Sequence, residues 1–141
     1  MALDTADQYV EFGIGQEHYA IPIQDIHEII RVQEITRLPH TSFYVEGVIN
    51  LRGRIVPVIS LRKRFEFENT ELTKRSRIIV INRQEEKVGI LVDHVNKVVR
   101  IHDIGPPPER LGRLNSMFFD GIGKSDSGVV SILKVEQLFE E

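Results

Sequence analysis

One pattern occurs twice in this chain. Displacing the sequence by 69 places lays Tyr9-Val10-Glu11-Phe12 on Ile78-Ile79-Val80-Ile81, Glu17 on Glu86, Ala20-Ile21 on Gly89-Ile90, and Ile29-Ile30-Arg31-Val32 on Val98-Val99-Arg100-Ile101, with no gap. A displacement of 74 places continues the match, with Gly47 on Gly121, Ile55-Val56 on Val129-Val130, Val58-Ile59 on Ile132-Leu133, and Phe65 on Phe139. The five extra residues fall in the Pro-rich stretch Gly105 to Asn115. Short alternating segments match one another by chance, but two displacements that each hold over a long span mark a duplication.

The repeated unit is β in character. Apolar residues are mostly β-branched and recur at every second position, as in Tyr9, Val10, Phe12 and Ile14, in Tyr19, Ile21 and Ile23, and in Ile55 to Ile59. The runs Ile78 to Ile81, Val88 to Val92, Val95 to Ile101 and Val129 to Leu133 repeat the theme, bounded by glycine or polar turn residues. This gives about ten strands. Each half, taken as residues 8–75 and 76–133, then supplies about five, enough to close a small antiparallel barrel without exposed edges. Two packed barrels in a single domain of residues 1–141 would leave a cleft in which a partner can bury apolar surface. Helices are few. Pro22 at a helix start, with Ile23, Ile26, Ile29 and Ile30 at spacings of three and four, predicts one short amphipathic helix. A second is predicted at the C-terminus, residues 134–141. The segments Glu66 to Ser76 and Asp103 to Asn115 read as long connections.

Composition removes several chemistries. Cysteine is absent, which excludes disulfides, thiolate metal sites and cysteine nucleophiles. No run approaches the roughly 20 apolar residues of a membrane-spanning helix, and Met1 to Gln8, with two aspartates, resembles no leader peptide. A cytoplasmic protein with no membrane insertion is expected. The five histidines show no paired spacing with carboxylates, so no metal and no cofactor is expected. Asp93-His94 sets acid beside base, but neighbours on a strand point to opposite faces. No serine lies in a nucleophile elbow, and Gly121-Ile122-Gly123 lacks the rest of a dinucleotide fingerprint. The chain reads as non-enzymatic. Positive charge gathers at Arg52, Arg54, Arg62 to Arg64, Lys74, Arg75 and Arg77, near Phe65 and Phe67. A small barrel binding single-stranded nucleic acid is therefore the alternative reading, set against a net charge of -3 and balancing glutamates.

The stretch Gly47-Val48-Ile49-Asn50-Leu51-Arg52-Gly53 runs an apolar strand into a tight turn, held by Asn50 and opened by Gly53, that projects Arg52 from a fixed place. A planar guanidinium on a rigid turn suits recognition of carboxylates or backbone carbonyls. Here the sequence resembles a known family. Tyr19-Ala20-Ile21-Pro22-Ile23, Ile26-His27-Glu28-Ile29-Ile30, the Asn-Leu-Arg-Gly turn, Ile55-Val56-Pro57-Val58-Ile59, Leu61-Arg62, Gly89-Ile90-Leu91-Val92-Asp93-His94-Val95 and Pro106-Pro107-Pro108 together resemble the CheW adaptors of bacterial chemotaxis.

The resemblance implies an all-β fold of two similar five-stranded, SH3-like barrels with a few short helices. It also implies a free-standing adaptor, recruited to membrane receptor clusters, with no nucleic-acid partner. The cytoplasmic hairpin tip of methyl-accepting chemoreceptors would dock at Ile26, Glu28, Gly47, Arg52, Gly89 and Val98. The regulatory domain of the histidine kinase CheA would dock near Gly53, Arg54 and Glu109, and alternating kinase and adaptor domains would form rings. Two residues depart from the family pattern: Ser60 stands where aspartate is usual, and Glu66 where glycine is common.

Overall fold

The computed structural model describes residues 8–107, 110–111 and 114–139. Thirteen strands are present among them: β1 (Gln8–Ile14), β2 (Glu17–Pro22), β3 (Ile26–Arg31), β4 (Val45–Leu51), β5 (Arg54–Ser60), β6 (Arg77–Arg83), β7 (Glu86–Val92), β8 (His94–Arg100), β9 (His102–Gly105), β10 (Arg110–Leu111), β11 (Leu114–Asn115), β12 (Phe119–Ser125) and β13 (Gly128–Leu133). The single α-helix among the described residues, α1, is the four-residue turn Leu61–Arg64. The duplication is visible element by element. Displaced by 69, β1, β2 and β3 fall on β6, β7 and β8; displaced by 74, β4 and β5 fall on β12 and β13.

The halves do not fold separately. One compact unit, unit 1, comprises the chain up to Gln24 and from Asn96 onward; the other, unit 2, comprises Asp25–Val95. The sheet of unit 1 runs β8-β1-β2-β13-β12-β9, and that of unit 2 runs β3-β6-β7-β5-β4. The sheet of unit 2 joins the first two strands of the second repeat to the last three of the first, and that of unit 1 joins β1 and β2 to β8, β12 and β13 with the additional β9, so the compact units do not follow the division at residue 75. Connector length is the physical reason. β3 and β7 both run antiparallel to β6, so they run parallel to each other. If β8 took the place of β3, the chain leaving β7 would have to return the strand's whole length, roughly 20 Å. Only Asp93 joins β7 to β8, and one residue reaches roughly 3.5 Å.

Equivalent positions make equivalent pairs. The parallel contact Val58↔Gly89 between β5 and β7 recurs as Ile132↔Ala20 between β13 and β2. The bulge that takes Val45↔Ile59 to Gly47↔Val58 recurs as Phe119↔Leu133 to Gly121↔Ile132. Both cores use the same repeat positions: Tyr9, Val99, Ile101, Val130 and Ile132 in unit 1 match Ile78, Ile30, Val32, Val56 and Val58 in unit 2.

The helix expected after Pro22 is corrected. Pro22 closes β2, one 3-10 turn covers Ile23–Asp25, and Ile26–Arg31 is strand, paired to β6 with sides alternately more and less buried. Consecutive isoleucines lose rotamer freedom in a helix, and the open side of β6 gives them backbone partners. At the C-terminus the described part of the expected helix is a 3-10 helix, Val135–Phe139, and residues 140–141 lie outside the described residues. The supposed connection Asp103 to Asn115 also holds part of β9 and the short β10–β11 pair.

Candidate functional site

Unit 2 assembles five of the six residues expected to meet a receptor. Gly47, Val58, Gly89, Val80 and Glu28 lie in one cross-strand row over β4, β5, β7, β6 and β3. Ile26 opposes Ile81 nearby on β3. Arg52 completes the set. Leu51 pairs with Arg54, so Arg52 and Gly53 form a two-residue hairpin turn with φ of 50° and 85°, the type I′ geometry that continues the twist of its strands. The Gly53 N–H donates to Asn50 Oδ1 (2.8 Å), and Gln33 Nε2 donates to the Asn50 carbonyl (2.8 Å), fixing the turn from both sides. From this support Arg52 donates to Glu28 Oε2, while its side chain stays 65% exposed. His27 Nε2 lies 3.6 Å from the same carboxylate oxygen. Val98, the sixth residue, lies on β8 of unit 1 and is 53% exposed.

The glycines serve the chain itself. A Cβ at Gly47 would stand 2.1 Å from the Thr36 carbonyl oxygen, and one at Gly89 would stand 2.8 Å from an Ile78 methyl. The close approach these positions permit is made by the protein's own backbone and core. Of the residues expected to meet the kinase, Gly53 and Arg54 lie in and beside the hairpin turn, and Arg54 is exposed. Glu109 lies outside the described residues.

The middle of the basic cluster is engaged internally. Arg62 donates through Nε and Nη2 to the two carboxylate oxygens of Asp93 (2.8 and 2.6 Å) and through Nη1 to the Glu68 carbonyl (2.7 Å). Hydrogen bonding to Asp93 outweighs partial burial and holds the Arg62 guanidinium above its ordinary value. Lys63 Nζ meets Glu46 at 2.9 Å, and Arg64 sits 4.5 Å over the Tyr44 ring. Arg62, Asp93, Lys63 and Glu46 line an open cavity of about 480 Å³. Ser60 accepts a hydrogen bond from the Lys63 N–H (3.2 Å), so the hydroxyl caps α1.

Sequence reasoning missed one constellation in unit 1. Glu11, on β1, is fully buried. Its Oε2 accepts from Asn96 Nδ2 and its Oε1 from Ser125 Oγ, both at 3.0 Å, and His18 Nδ1 stands 3.8 Å away. Burial pushes the Glu11 carboxyl up, but the bonds from Asn96, Ser125 and Ser127 and the charge of His18 overcome this and leave it below its usual value. The signal was in the repeat: Glu11 falls on Val80, a charge where its counterpart has a core valine. Among the described residues no group of three or more His, Asp or Glu is placed to hold a metal ion, and no helix is long and apolar enough to cross a membrane.

The geometry is that of a duplicated β-sheet scaffold with one candidate arginine, Arg52, raised on a tight turn and the other receptor-site candidates on strands. Residues 8–141 match the CheW-like domain family. Chemotaxis protein CheW of Helicobacter pylori is 40% identical over 136 residues, covering 95% of this chain and 82% of that one. Chemotaxis protein CheW of Bacillus subtilis is 31% identical over 141 residues, covering 99% and 90%. The crystal structure of the scaffolding protein TtCheW from Thermoanaerobacter tengcongensis matches with a TM-score of 0.88 at 39% identity, covering 96% of this chain and 88% of that one. The chain belongs to the CheW-like family of chemotaxis scaffold proteins.

Proposed function

We propose that this protein is a non-catalytic adaptor that docks the cytoplasmic hairpin tips of chemoreceptors and the regulatory domain of the histidine kinase CheA, and so couples one to the other. The observation that carries this reading is Arg52, lifted on a type I′ turn beside Glu28, still largely exposed, at the edge of the row that holds Gly47 and Gly89. A guanidinium so placed presents its remaining donors to a helical hairpin's carboxylates or carbonyls. Ile26 and Val98 supply apolar contact. For the kinase, Gly53 and Arg54 offer one surface. Ile55, 65% exposed, and its repeat counterpart Val129, 63% exposed, give each unit an apolar position of the same kind. Two like surfaces on one chain suit a link in an alternating ring. Such a protein works in the cytoplasm, at membrane receptor clusters. The nucleic-acid reading is disfavoured by the internal engagement of Arg62, Lys63 and Arg64, the middle of the basic cluster, with Asp93, Glu46 and the Tyr44 ring.

The test is Arg52→Glu, assayed for receptor-dependent kinase control in a reconstituted mixture of receptor tips, CheA and adaptor. Reversal of charge is expected to abolish coupling while the far-ultraviolet circular dichroism stays that of the parent. A folded Arg52→Glu protein that couples normally overturns the role given to this residue.

A further inference from the structure

In unit 2 the outermost strands of the five, β3 and β4, are tied at the surface, where Glu28 of β3 accepts from Arg52 in the turn after β4. The corresponding residues of unit 1 are Lys97 on β8 and Asp126 in the turn after β12, with the charges reversed. Both are exposed, and neither has a partner among the described residues. The tie in unit 1 is made from inside. One carboxylate, Glu11, takes a hydrogen bond from Asn96 of β8 on one oxygen and from Ser125 of β12 on the other. In unit 2 the residues equivalent to Glu11 and Ser125 are Val80 and Leu51, both in its apolar core. A polar link stands in unit 1 where unit 2 has an apolar layer.

We propose that the buried Glu11 carboxylate is an internal lock that joins β8 to β12 in unit 1, while the side-chain tie at the equivalent place in unit 2 is the exposed Arg52–Glu28 pair, set beside the backbone bonds between Thr36 and Val48. Solvent and partners reach the unit 2 tie and can exchange it, because an exposed ion pair is weak and readily replaced. They do not reach Glu11, which is fully buried. Removing either donor would strand a charge away from water, so its two bonds hold firmly. Opening on contact with a partner is therefore confined to unit 2, and unit 1 is the rigid half of the scaffold. The lowered Glu11 carboxyl agrees, since an ionised carboxylate is an acceptor at both oxygens.

Amide hydrogen exchange on the full chain tests this. Glu11→Gln keeps the volume but sets an amide against a donor, and Glu11→Val copies the residue of the other repeat. Each is expected to speed exchange at 96–99 and 121–125 by roughly tenfold or more, with 27–30 and 47–51 unchanged. Glu28→Gln is expected to do the converse, speeding only 27–30 and 47–51. Transplanting the unit 2 solution, as Glu11→Val with Ser125→Leu, Lys97→Glu and Asp126→Arg, is expected to restore slow exchange in unit 1. Unchanged exchange at 96–99 and 121–125 in folded Glu11→Gln overturns the proposal. So does full recovery in Glu11→Val with Ser125→Leu alone, which would make apolar filling, and not a tie between strands, the source of protection. Should Glu11→Val fail to fold, Glu11→Gln decides.

Discussion

At the scale of single residues, Glu66 carries a conformation that its side chain does not favour. Helix α1 ends in a Schellman motif: the Glu66 N–H donates to the Lys63 carbonyl (3.1 Å) and the Phe67 N–H to the Arg62 carbonyl (2.8 Å). That motif sets Glu66 at φ 59°, where a Cβ is crowded and glycine is not. Glu66→Gly is expected to stabilise the protein by about 1 kcal/mol, read as a rise of about 3 °C in melting midpoint; an unchanged or lower midpoint refutes the strain. The Asn50 to Gly53 turn was legible in the sequence because asparagine and glycine have specific backbone uses. The Arg62–Asp93 fork was not, because its partners are 31 residues apart and nothing in either strand's alternation brings them together. Glu28 and Arg52 were both singled out as candidates, but their bond to each other emerged only from the folded chain.

Among elements, the repeated bulge depends on glycine. At Gly47 two penalties coincide, a φ of 146° and a Thr36 carbonyl oxygen 2.1 Å from any added Cβ. The Thr36 segment cannot retreat without losing its two backbone hydrogen bonds to Val48, both 2.8 Å. Gly47→Ala is therefore expected to destabilise by more than about 3 kcal/mol. Gly53→Ala, with φ 85° but open space around it, is expected to lose only about 1 kcal/mol. Urea midpoints of the two variants check the order, and a Gly47→Ala protein as stable as Gly53→Ala contradicts the packing argument. The same close approach hid strand β12 from the sequence. β12 reads Phe-Asp-Gly-Ile-Gly-Lys-Ser, poor in strand formers, because Gly121 and Gly123 leave room for β9 and Ile101. Strand β3 was mistaken for a helix because Ile26, Ile29 and Ile30 fit a helical spacing as well as an alternating one, and only the open side of β6 decides between them.

Over the whole molecule, the duplication was readable from residue order alone, but the exchange of strands was not, since it follows from where short connectors allow the chain to go. Its consequence is an unequal division. Unit 2 is one continuous stretch, 25–95, holding β3 to β7 and their core of Ile49, Val56, Val58, Ile78 and Val80; unit 1 is assembled from two distant segments. A peptide of residues 25–95 is therefore expected to show strand circular dichroism and a cooperative thermal transition by itself. A peptide of residues 1–75, the apparent first repeat, is expected to show neither. Its β1–β2 hairpin lacks β8 and β13, and its β3 and β5 lack β6 and β7. Mixed with a peptide of residues 76–141, it regains both sets of partners, and the native spectrum should return with a one-to-one stoichiometry. Cooperative folding of 1–75 alone would mean that a repeat can close on itself, and that the three residues between β2 and β3 do not enforce the exchange.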